Sequence, residues 1–449
     1  MRCGSDIGKR CVATEYDGKG RKRVSPDTDG HPNKPGHLSN LGNSLLGRFE
    51  CLGDIGGIDK SISVGEDAVQ LTPDGHPDKP GRLNNLGNSF LSCFKCLADI
   101  ADIEKSILMK EDAVQLTPDS HPDKPMYLYN LGTSFLCHFE HLGDSPTLDQ
   151  AIFHFTSAAC SSTGTASIRF KASSMWAQCA WLSQHSSLLE AYKLALDLLP
   201  KLAWLGLPIH DRHHGLNFCG NVVNDAAAAA IKFGEYGTAI EWLEQGRSIV
   251  WGELLQLRTP VDELHKQSPA LAAHLSQLSK ELEQTSARDD LQVVDGCNQQ
   301  SLEKVAQRHH QLALEWEELV KEVRMMPSFE RFLLPKTLSQ LQFAAHSGPV
   351  VVLNTSKIQC DALILMPDLD DVLHLPLPDF TFKQAQELQH SLKFVLDNGR
   401  AAKLVHIDGQ PRDINTEFEK ILSKLWLHVV KPVLDILAFT VCHSYPLCS

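Results

Sequence analysis

The chain has 449 residues, a formal net charge of −13 at neutral pH, and 43% hydrophobic residues. Its length exceeds that of a single ordinary domain, and its composition is that of a protein that folds around a packed core. The negative charge disfavours nucleic acid and anionic membranes as partners, because both require a dense field of Lys and Arg.

Residues 1–24 are predicted to form a disordered leader. They include the basic run KGRKR at 19–23, for which a solvated tail is favoured over a nuclear-localisation signal. The leader lacks the apolar core of a signal peptide, and no apolar run in the chain approaches the roughly 20 residues that cross a bilayer. The 13 cysteines follow no framework of spacings, so we expect an intracellular, cytoplasmic protein with reduced thiols.

One phrase then occurs three times, at a period of 45 residues. It reads HPNKPGHLSNLGNSL at 31–45, HPDKPGRLNNLGNSF at 76–90 and HPDKPMYLYNLGTSF at 121–135. The first two 45-residue copies are identical at 30 positions, and the second and third are identical at 17. Self-similarity at a fixed period indicates an internal duplication, and therefore supersecondary units that stack on one another.

Each copy has the pattern of a helical hairpin. In the first copy, apolar residues mark one face of a first helix and then of a second: Leu38, Leu41, Leu45, Phe49 and Leu52, followed by Ile58, Ile62, Ala68 and Val69. The second helix is expected to stop before Pro73, because proline has no N–H to continue it. A glycine inside a helix costs about 1 kcal/mol relative to alanine, so the recurrence of Gly42 as Gly87 and Gly132 predicts a close approach of two helices.

The positions of small residues and of proline point to a known repeat. Leu41 and Gly42 fall on a Leu-Gly pair, Ser61 and Ala68 on two small positions, and Pro73 on a closing proline. In these features the copies resemble the tetratricopeptide repeat family. Their period exceeds the usual length of about 34 residues, and the extra residues fall in the two turns. The resemblance implies an α-solenoid of helical hairpins.

This solenoid is expected to span residues 25–265. The segment 169–182 keeps the register of a degenerate fourth unit, with Trp176 standing 45 residues after Leu131 and with Ala177 in place of the glycine. Farther on, 233–257 resembles the turn and second helix of another repeat.

The tetratricopeptide resemblance also implies a ligand, a peptide or a partner helix that lies on a concave surface formed by the first helices. Its fifth and ninth repeat positions give six candidate groove residues: Ser39, Asn43, Asn84, Asn88, Tyr129 and Thr133. An alternative is that Asn43 and Asn88 only satisfy neighbouring backbone groups. Asn40, Asn85 and Asn130 are expected to brace one hairpin against the next.

Residues 266–326 are predicted to form a helical hairpin that follows the solenoid. Apolar residues recur at spacings of three and four in two runs: Leu271, Leu275, Leu278 and Leu282, then Leu302, Val305, Leu312, Trp316, Leu319 and Val323. Such spacing indicates two antiparallel helices, each with one buried face.

From 327 to 438 the pattern changes to that of an α/β region. GPVVVLNTS, CDALILM and VLHLPLP are short runs typical of strands, and two helices are expected over 382–398 and 416–437. They follow the repeats, the segment at 241–264 and FERFLLP at 329–335. This order resembles that of proteins in which tetratricopeptide repeats precede a CHAT domain, a caspase-like cysteine-peptidase domain.

The CHAT resemblance implies a His and a Cys that end neighbouring strands, since a thiolate nucleophile needs an imidazole beside it. These segments are expected well beyond the last predicted helix, where the chain instead has an irregular tail at 439–449. Cys442 and His443 in that tail are adjacent in sequence and make a poor catalytic pair. We therefore predict an incomplete CHAT-type region and assign no catalytic residue.

No metal site and no cofactor are predicted. Cys93 and Cys96 have the spacing of zinc ligands, but no second ligand pair is evident, so a place on the surface and in the core of a helix is favoured. For His210, His213 and His214 two interpretations remain, a metal site and the preferred one, a polar loop between helices. No glycine-rich phosphate-binding loop is present.

The fold class predicted from these patterns is mainly α, with a solenoid, a helical hairpin and a partial α/β region. The leading functional hypothesis is a noncatalytic scaffold for protein–protein interaction, or the sensor or recruitment module of a CHAT protein, with a protein or peptide as its ligand. The alternative is a caspase-like cysteine peptidase whose active-site half is missing or unrecognised. A third hypothesis is an abnormal product of a longer gene.

Overall fold

The computed structural model describes residues 33–202, 222–247, 257, 261–289, 299–367, 369–398, 404–407 and 410–444. The chain divides into two compact units, Met1–His185 and Ser186–Ser449. The predicted leader, residues 1–24, lies outside the described residues, and so do His210, His213 and His214.

Stacked helical hairpins form the described part of the first unit. Its helices are α1 (Lys34–Leu52), α2 (Ile55–Gln70), α3 (Lys79–Leu97), α4 (Ile100–Gln115), α5 (Lys124–Leu142), α6 (Ser145–Cys160) and α7 (Ala166–Ser183). Within the hairpins α1 packs on α2, α3 on α4 and α5 on α6, and between them α2 packs on α3, α4 on α5 and α6 on α7. The predicted stack, with one hairpin for each copy of the repeat, is therefore confirmed.

The same kinds of residue begin and end the first helix of each hairpin. A proline lies in the first turn of each: Pro35, Pro80 and Pro125. Proline is tolerated there because the first N–H groups of a helix have no acceptor within it. A residue with left-handed backbone ends each helix, and its N–H bonds to the carbonyl four residues earlier: Gly53, Ala98 and Gly143, with φ of 69°, 57° and 72°.

Glycine marks the crossing of the two helices in each hairpin. A Cβ added at Gly87 would lie 2.8 Å from Cγ of Lys110. At Gly132 it would lie 2.9 Å from Cδ1 of Phe155. At Gly42 the nearest atom, a backbone oxygen of α2, would be 3.4 Å away. The close approach expected at all three glycines is therefore present, and it is tightest in the second and third hairpins.

The second unit begins with three helices that pack together: α8 (Leu188–Leu202), α9 (Val222–Lys232) and α10 (Tyr236–Arg247). Five consecutive alanines of α9, residues 226–230, are each 0% exposed. A helix whose residues are buried on every side is surrounded by other elements, so α9 is the central helix of this group.

A long hairpin follows, formed by α12 (Pro269–Asp289) and α13 (Gln299–Arg324) after the short helix α11 (Asp262–Gln267). Their apolar residues share one core cluster: Leu275, Leu278 and Leu282 with Leu312, Trp316, Leu319 and Val323. Trp316 Nε1 donates a hydrogen bond to Ser279 Oγ at 3.1 Å. The predicted antiparallel helical hairpin is confirmed.

A short helix, α14 (Leu338–Gln342), precedes an antiparallel sheet with the strand order β1 (Val350–Thr355), β2 (Cys360–Leu365), β3 (Leu373–Pro376). Val352 of β1 pairs with Leu363 of β2, which pairs with His374 of β3. All six residues of the central strand β2 are buried. The three strand-like runs of the sequence are thus strands of one sheet.

The remaining elements of the unit are α15 (Phe382–Asn398), β4 (Leu404–Ile407), β5 (Gln410–Asp413), α16 (Ile414–Leu425) and α17 (Lys431–Ser444). β4 and β5 pair with each other as a separate antiparallel hairpin. Val429 lies in the π-helical turn between α16 and α17, and it packs with Val433 against Cys360 and Ala362 of β2. The helices therefore cover one face of the three-stranded sheet.

The last helix extends farther than its sequence pattern indicates. An irregular tail is expected from residue 439, whereas α17 continues to Ser444. Residues 439–444 contain neither Gly nor Pro, so nothing in their sequence stops a helix. Residues 445–449 lie outside the described part of the chain.

None of the described helices is long and apolar enough to cross a membrane. The cytoplasmic location expected from the sequence stays a prediction.

Candidate functional site

The first helices of the three hairpins lie side by side, with α1 in contact with α3 and α3 in contact with α5. We call the surface formed by α1, α3 and α5 the first-helix surface. Because the copies repeat every 45 residues, equivalent side chains recur on adjacent helices at the same height along this surface. The six predicted groove residues belong to these helices.

Amide side chains tie the first helices together. Asn85 Nδ2 donates to Ser39 Oγ at 3.3 Å and thereby joins α3 to α1. Asn130 Nδ2 donates to Asn84 Oδ1 at 2.9 Å and joins α5 to α3. The bracing role expected for Asn85 and Asn130 is confirmed, whereas Asn40 is exposed and its side chain bonds to no hairpin in the described part of the chain.

We call these two hydrogen bonds the amide ladder. Two of the predicted groove residues, Ser39 and Asn84, are the acceptors in it. Asn84 is only 2% exposed, so its side chain is held between α3 and α5 and not presented to solvent. Ser39 is half-buried and accepts the bond from Asn85. In the structure, these two side chains connect hairpins.

Asn43 and Asn88, at the next predicted groove position, are placed differently. Asn43 is exposed and Asn88 is half-buried. Neither side chain forms a hydrogen bond to any residue in the described part of the chain, whereas the amides of the ladder do. The interpretation that Asn43 and Asn88 satisfy neighbouring backbone groups therefore has no support in the described residues.

Tyr129 and Thr133 occupy the equivalent positions on α5, and both are half-buried. Thr133 Oγ1 donates to the carbonyl oxygen of Tyr129 at 2.9 Å. The Tyr129 ring lies against Phe155, with 5.7 Å between the ring centroids, and burial raises the pKa of its hydroxyl. This part of the first-helix surface is more apolar than the part formed by α1 and α3.

Hydroxyl groups connect successive hairpins beneath the first-helix surface. Ser61 donates to the carbonyl of Gly42 at 2.8 Å and shares a hydrogen bond with Ser89 at 2.9 Å. One copy later, Ser106 is bonded to the carbonyl of Gly87 at 2.7 Å and to Ser134 at 2.9 Å. The signal in the sequence was the recurrence of serine at both positions every 45 residues.

Lys110 lies at the same junction and is 0% exposed. Its Nζ donates to Ser134 Oγ at 2.9 Å and to the carbonyl of Asn130 at 3.3 Å, and both acceptors are neutral. Burial lowers the pKa of this amine to about 7. The repeat pattern does not predict a buried amine here, because the residues at the same repeat position in the first and third copies are Gly65 and Phe155.

In the second unit, a polar cluster links the sheet to α9 and α10. Asp361 of β2 is 1% exposed and lies 2.8 Å from Nε2 of His374, whose ring stacks on Tyr236 with 4.9 Å between centroids. Asn224 of α9 exchanges two hydrogen bonds with β1, one to the carbonyl of Thr355 at 2.9 Å. These contacts fix α9 and α10 against one face of the sheet.

Burial disfavours the thiolate form of two cysteines singled out by sequence or fold. Burial raises the pKa of Cys93 to about 12, which favours the thiol over the thiolate that attacks or binds zinc. Burial also raises the pKa of Cys360. Cys442 and His443 are consecutive residues of α17. Among the described residues, no group of three His, Cys, Asp or Glu side chains is arranged to hold a metal ion.

No protein-family profile matches the chain, and no curated protein matches it. Among solved structures, two chains from Podosopora anserina described as "putative kinesin light chain nearly identical TPR-like repeats" are similar to it at 14% sequence identity. One alignment covers 48% of this chain and 95% of the other chain with a TM-score of 0.34, and the second covers 51% and 100% with a TM-score of 0.35. The assignment of the fold rests on the helices and contacts described above.

Proposed function

We propose that the first unit is a noncatalytic protein-interaction module that binds an extended peptide along the first-helix surface. The observation that carries the proposal is the contrast between the amides. Asn84, Asn85 and Asn130 are bonded between hairpins, whereas Asn43 and Asn88 lie on the same helices with their donors and acceptors available.

A primary amide suits the backbone of an extended peptide, because it offers two donors and one carbonyl acceptor. Asn43 and Asn88 occupy equivalent positions on adjacent helices, so the same amide recurs at the same repeat position. A peptide that crosses α1 and α3 meets both amides, and its next residues meet Tyr129 and Thr133 on α5. The half-buried Tyr129 ring supplies an apolar contact beside the polar ones.

In the proposal, the module is the recruitment part of a larger scaffold that extends over residues 25–265. The region 327–438 is then an incomplete CHAT-type domain without catalytic residues. The support for this assignment is the order of its sequence segments, together with strands and helices at the positions that those segments indicate. Location in the cytoplasm and a protein ligand belong to the same proposal.

Selection of peptides from a displayed library against the full chain tests the groove. We expect bound peptides to lose affinity on the order of tenfold when Asn43 and Asn88 are both replaced by alanine, because each lost amide removes hydrogen bonds worth roughly 1 kcal/mol. Isothermal titration calorimetry gives the affinities. The matched control is Gln70→Ala with Gln115→Ala, since these exposed amides occupy equivalent positions on the second helices.

If the variant with Asn43→Ala and Asn88→Ala binds every selected peptide as tightly as the wild type does, these two residues are not part of the binding surface. If both double variants lose affinity equally, the loss is not specific to Asn43 and Asn88, and the proposal fails.

A peptidase assay tests the noncatalytic part of the proposal. A panel of fluorogenic peptides is expected to show no thiol-dependent cleavage by the full chain, because the His and Cys that a CHAT-type site requires cannot be assigned to any residue of the sequence. Cys442→Ala serves as the control. Cleavage by the wild type that disappears in this variant would establish the alternative, a caspase-like cysteine peptidase.

A further inference from the structure

The last turn of each first helix carries one charged residue on the first-helix surface. Glu50 of α1, Lys95 of α3 and Glu140 of α5 occupy the same position of the 45-residue repeat, and all three are exposed. This position follows that of Asn43 by seven residues, which is two helical turns along the same face. We call the three residues the charge row. Their signs alternate from one helix to the next: negative, positive and negative.

Two contacts show that members of the charge row reach toward the next helix. Ser92 Oγ of α3 donates to Glu50 Oε1 of α1 at 3.3 Å. Cys137 of α5 holds the position of Ser92 one copy later; burial raises the pKa of its thiol, and the nearby charge of Lys95 lowers it. In the described part of the chain neither Lys95 nor Glu140 forms an ion pair. The row therefore presents charges that are not neutralised within the unit.

The packing of the helices sets the spacing of the charge row. α1 contacts α3 and α3 contacts α5, and packed helices lie about 8–10 Å apart. A peptide in the polyproline II conformation advances about 9 Å in three residues, and residues three apart lie on one side of it. Side chains at every third position of such a peptide therefore meet the row, one on each helix.

We propose that the peptide bound by the first unit has a basic, an acidic and a basic residue at spacings of three, which pair with Glu50, Lys95 and Glu140. This inference rests on the proposed function, because it names the chemistry of the peptide on the first-helix surface. The pattern reads the same in both directions, so it holds for either orientation of the peptide. Exposed ion pairs contribute more to the choice of partner than to affinity, so the charge row determines specificity beside the amides.

The sequence of the chain itself does not match the charge row. Nowhere in the 449 residues is an Asp or Glu both preceded and followed, at three positions, by Lys or Arg. The segment before α1 includes the basic run at 19–23, but the centre of that run is Arg21 and not an acidic residue. A second copy of the chain and its own first residues both lack the pattern, so the peptide belongs to a different protein.

Selection of displayed peptides against the full-length wild type and against Lys95→Glu tests the charge row. We expect the wild type to enrich the basic-x-x-acidic-x-x-basic pattern, and Lys95→Glu to enrich a basic residue at the centre. Replacement of the central acid of a selected peptide by Lys is expected to weaken binding to the wild type roughly fivefold, and Lys95→Glu to restore it. Fluorescence anisotropy gives the affinities. Lys60→Glu is the matched control, because Lys60 is also exposed but lies on α2.

Peptides that depend on Asn43 and Asn88 but show neither the pattern nor the rescue overturn this inference and leave the proposed function standing. If no selected peptide depends on these amides or on Lys95, both fail.

Two further outcomes overturn the inference by identifying the chain as its own ligand. The first is self-association of the wild type, seen by analytical ultracentrifugation, that Lys95→Glu abolishes. The second is a peptide of residues 1–32 that displaces the selected peptide from the wild type but not from Lys95→Glu.

Discussion

Lys110 is a fully buried amine at the junction of the second and third hairpins. Its aliphatic stem lies against Gly87, where an added Cβ would be 2.8 Å from Cγ, and its amine bonds only to neutral oxygens. Burial without a carboxylate disfavours the charged amine, because the two hydrogen bonds replace only part of its hydration. The protonation of Lys110 is therefore linked to the stability of the second and third hairpins.

The sign of this linkage follows from the two pKa values. The folded pKa is about 7 and the ordinary value is 10.5, so between them the unfolded chain binds more protons than the folded chain. The free energy of unfolding is therefore expected to rise with pH over this window and to be lowest, as far as this residue is concerned, below about 7. Lys110→Met removes the dependence, and it is expected to stabilise α4 and α5 by roughly 1–3 kcal/mol at neutral pH.

Hydrogen exchange of the α4 and α5 amides, measured over this pH range, gives the local free energies. Lys60→Met is the control, since Lys60 is exposed on α2. A wild-type pH dependence that persists unchanged in Lys110→Met would assign the effect to another group.

The repeat pattern does not predict the individual hydrogen bonds of the candidate groove residues. The repeat placed Ser39 and Asn84 in the proposed groove, but the donor that each accepts from sits on the next copy and 46 residues away. A periodicity aligns positions; it does not say which of two adjacent amides points to a neighbouring helix. The repeat identifies the positions of Asn43 and Asn88, but only the folded structure shows that their side chains form no hydrogen bond in the described part of the chain.

At the scale of helices, the sequence was most informative where local signals agree. Proline at the start and apolar residues three and four apart recur in α1, α3 and α5. Each signal depends only on residues within one or two helical turns, so it can be recognised in the sequence without the tertiary contacts. The end of α17 was missed because residues 439–444 carry no such stop signal.

The crossing of α3 and α4 gives a prediction at this scale. Gly87→Ala is expected to destabilise the hairpin by about 1–3 kcal/mol, because the new methyl group meets Lys110 and the backbone oxygen of Ser106, at 2.8 Å and 3.1 Å. Gly47→Ala in α1 is the matched control. No atom lies within 4 Å of its added Cβ, so it is expected to stabilise α1 by roughly 0.5–1 kcal/mol through helix propensity.

Hydrogen-exchange protection of α1 and α3 measures both changes. Stabilisation by alanine at both positions would show that the helices do not approach closely at Gly87.

At the scale of the whole chain, the internal duplication predicts the architecture of the first unit. The second unit has no such duplication, so its architecture is predicted only from the patterns of single helices and strands. Three short strand-like runs identified the sheet β1–β2–β3, because each is bounded by turn residues. The contacts of Tyr236 with His374 and of Asn224 with Thr355 join residues more than 130 positions apart. Contacts between residues so far apart produce no periodic pattern in the sequence, so the packing of α9 and α10 on the sheet could not be predicted from it.

The residue that faces the helix crossing differs in every copy. It is Gly65 opposite Gly42, Lys110 opposite Gly87 and Phe155 opposite Gly132. Copies as alike as the first two can exchange partners while a chain folds, and such misassembly is a known hazard of repeat proteins. The three crossings therefore hold side chains of different size: a Cβ added at Gly65 would already lie 3.1 Å from Cδ1 of Leu86, whereas the Phe155 ring lies against Gly132. We expect this difference in size to favour the pairing of each second helix with its own first helix.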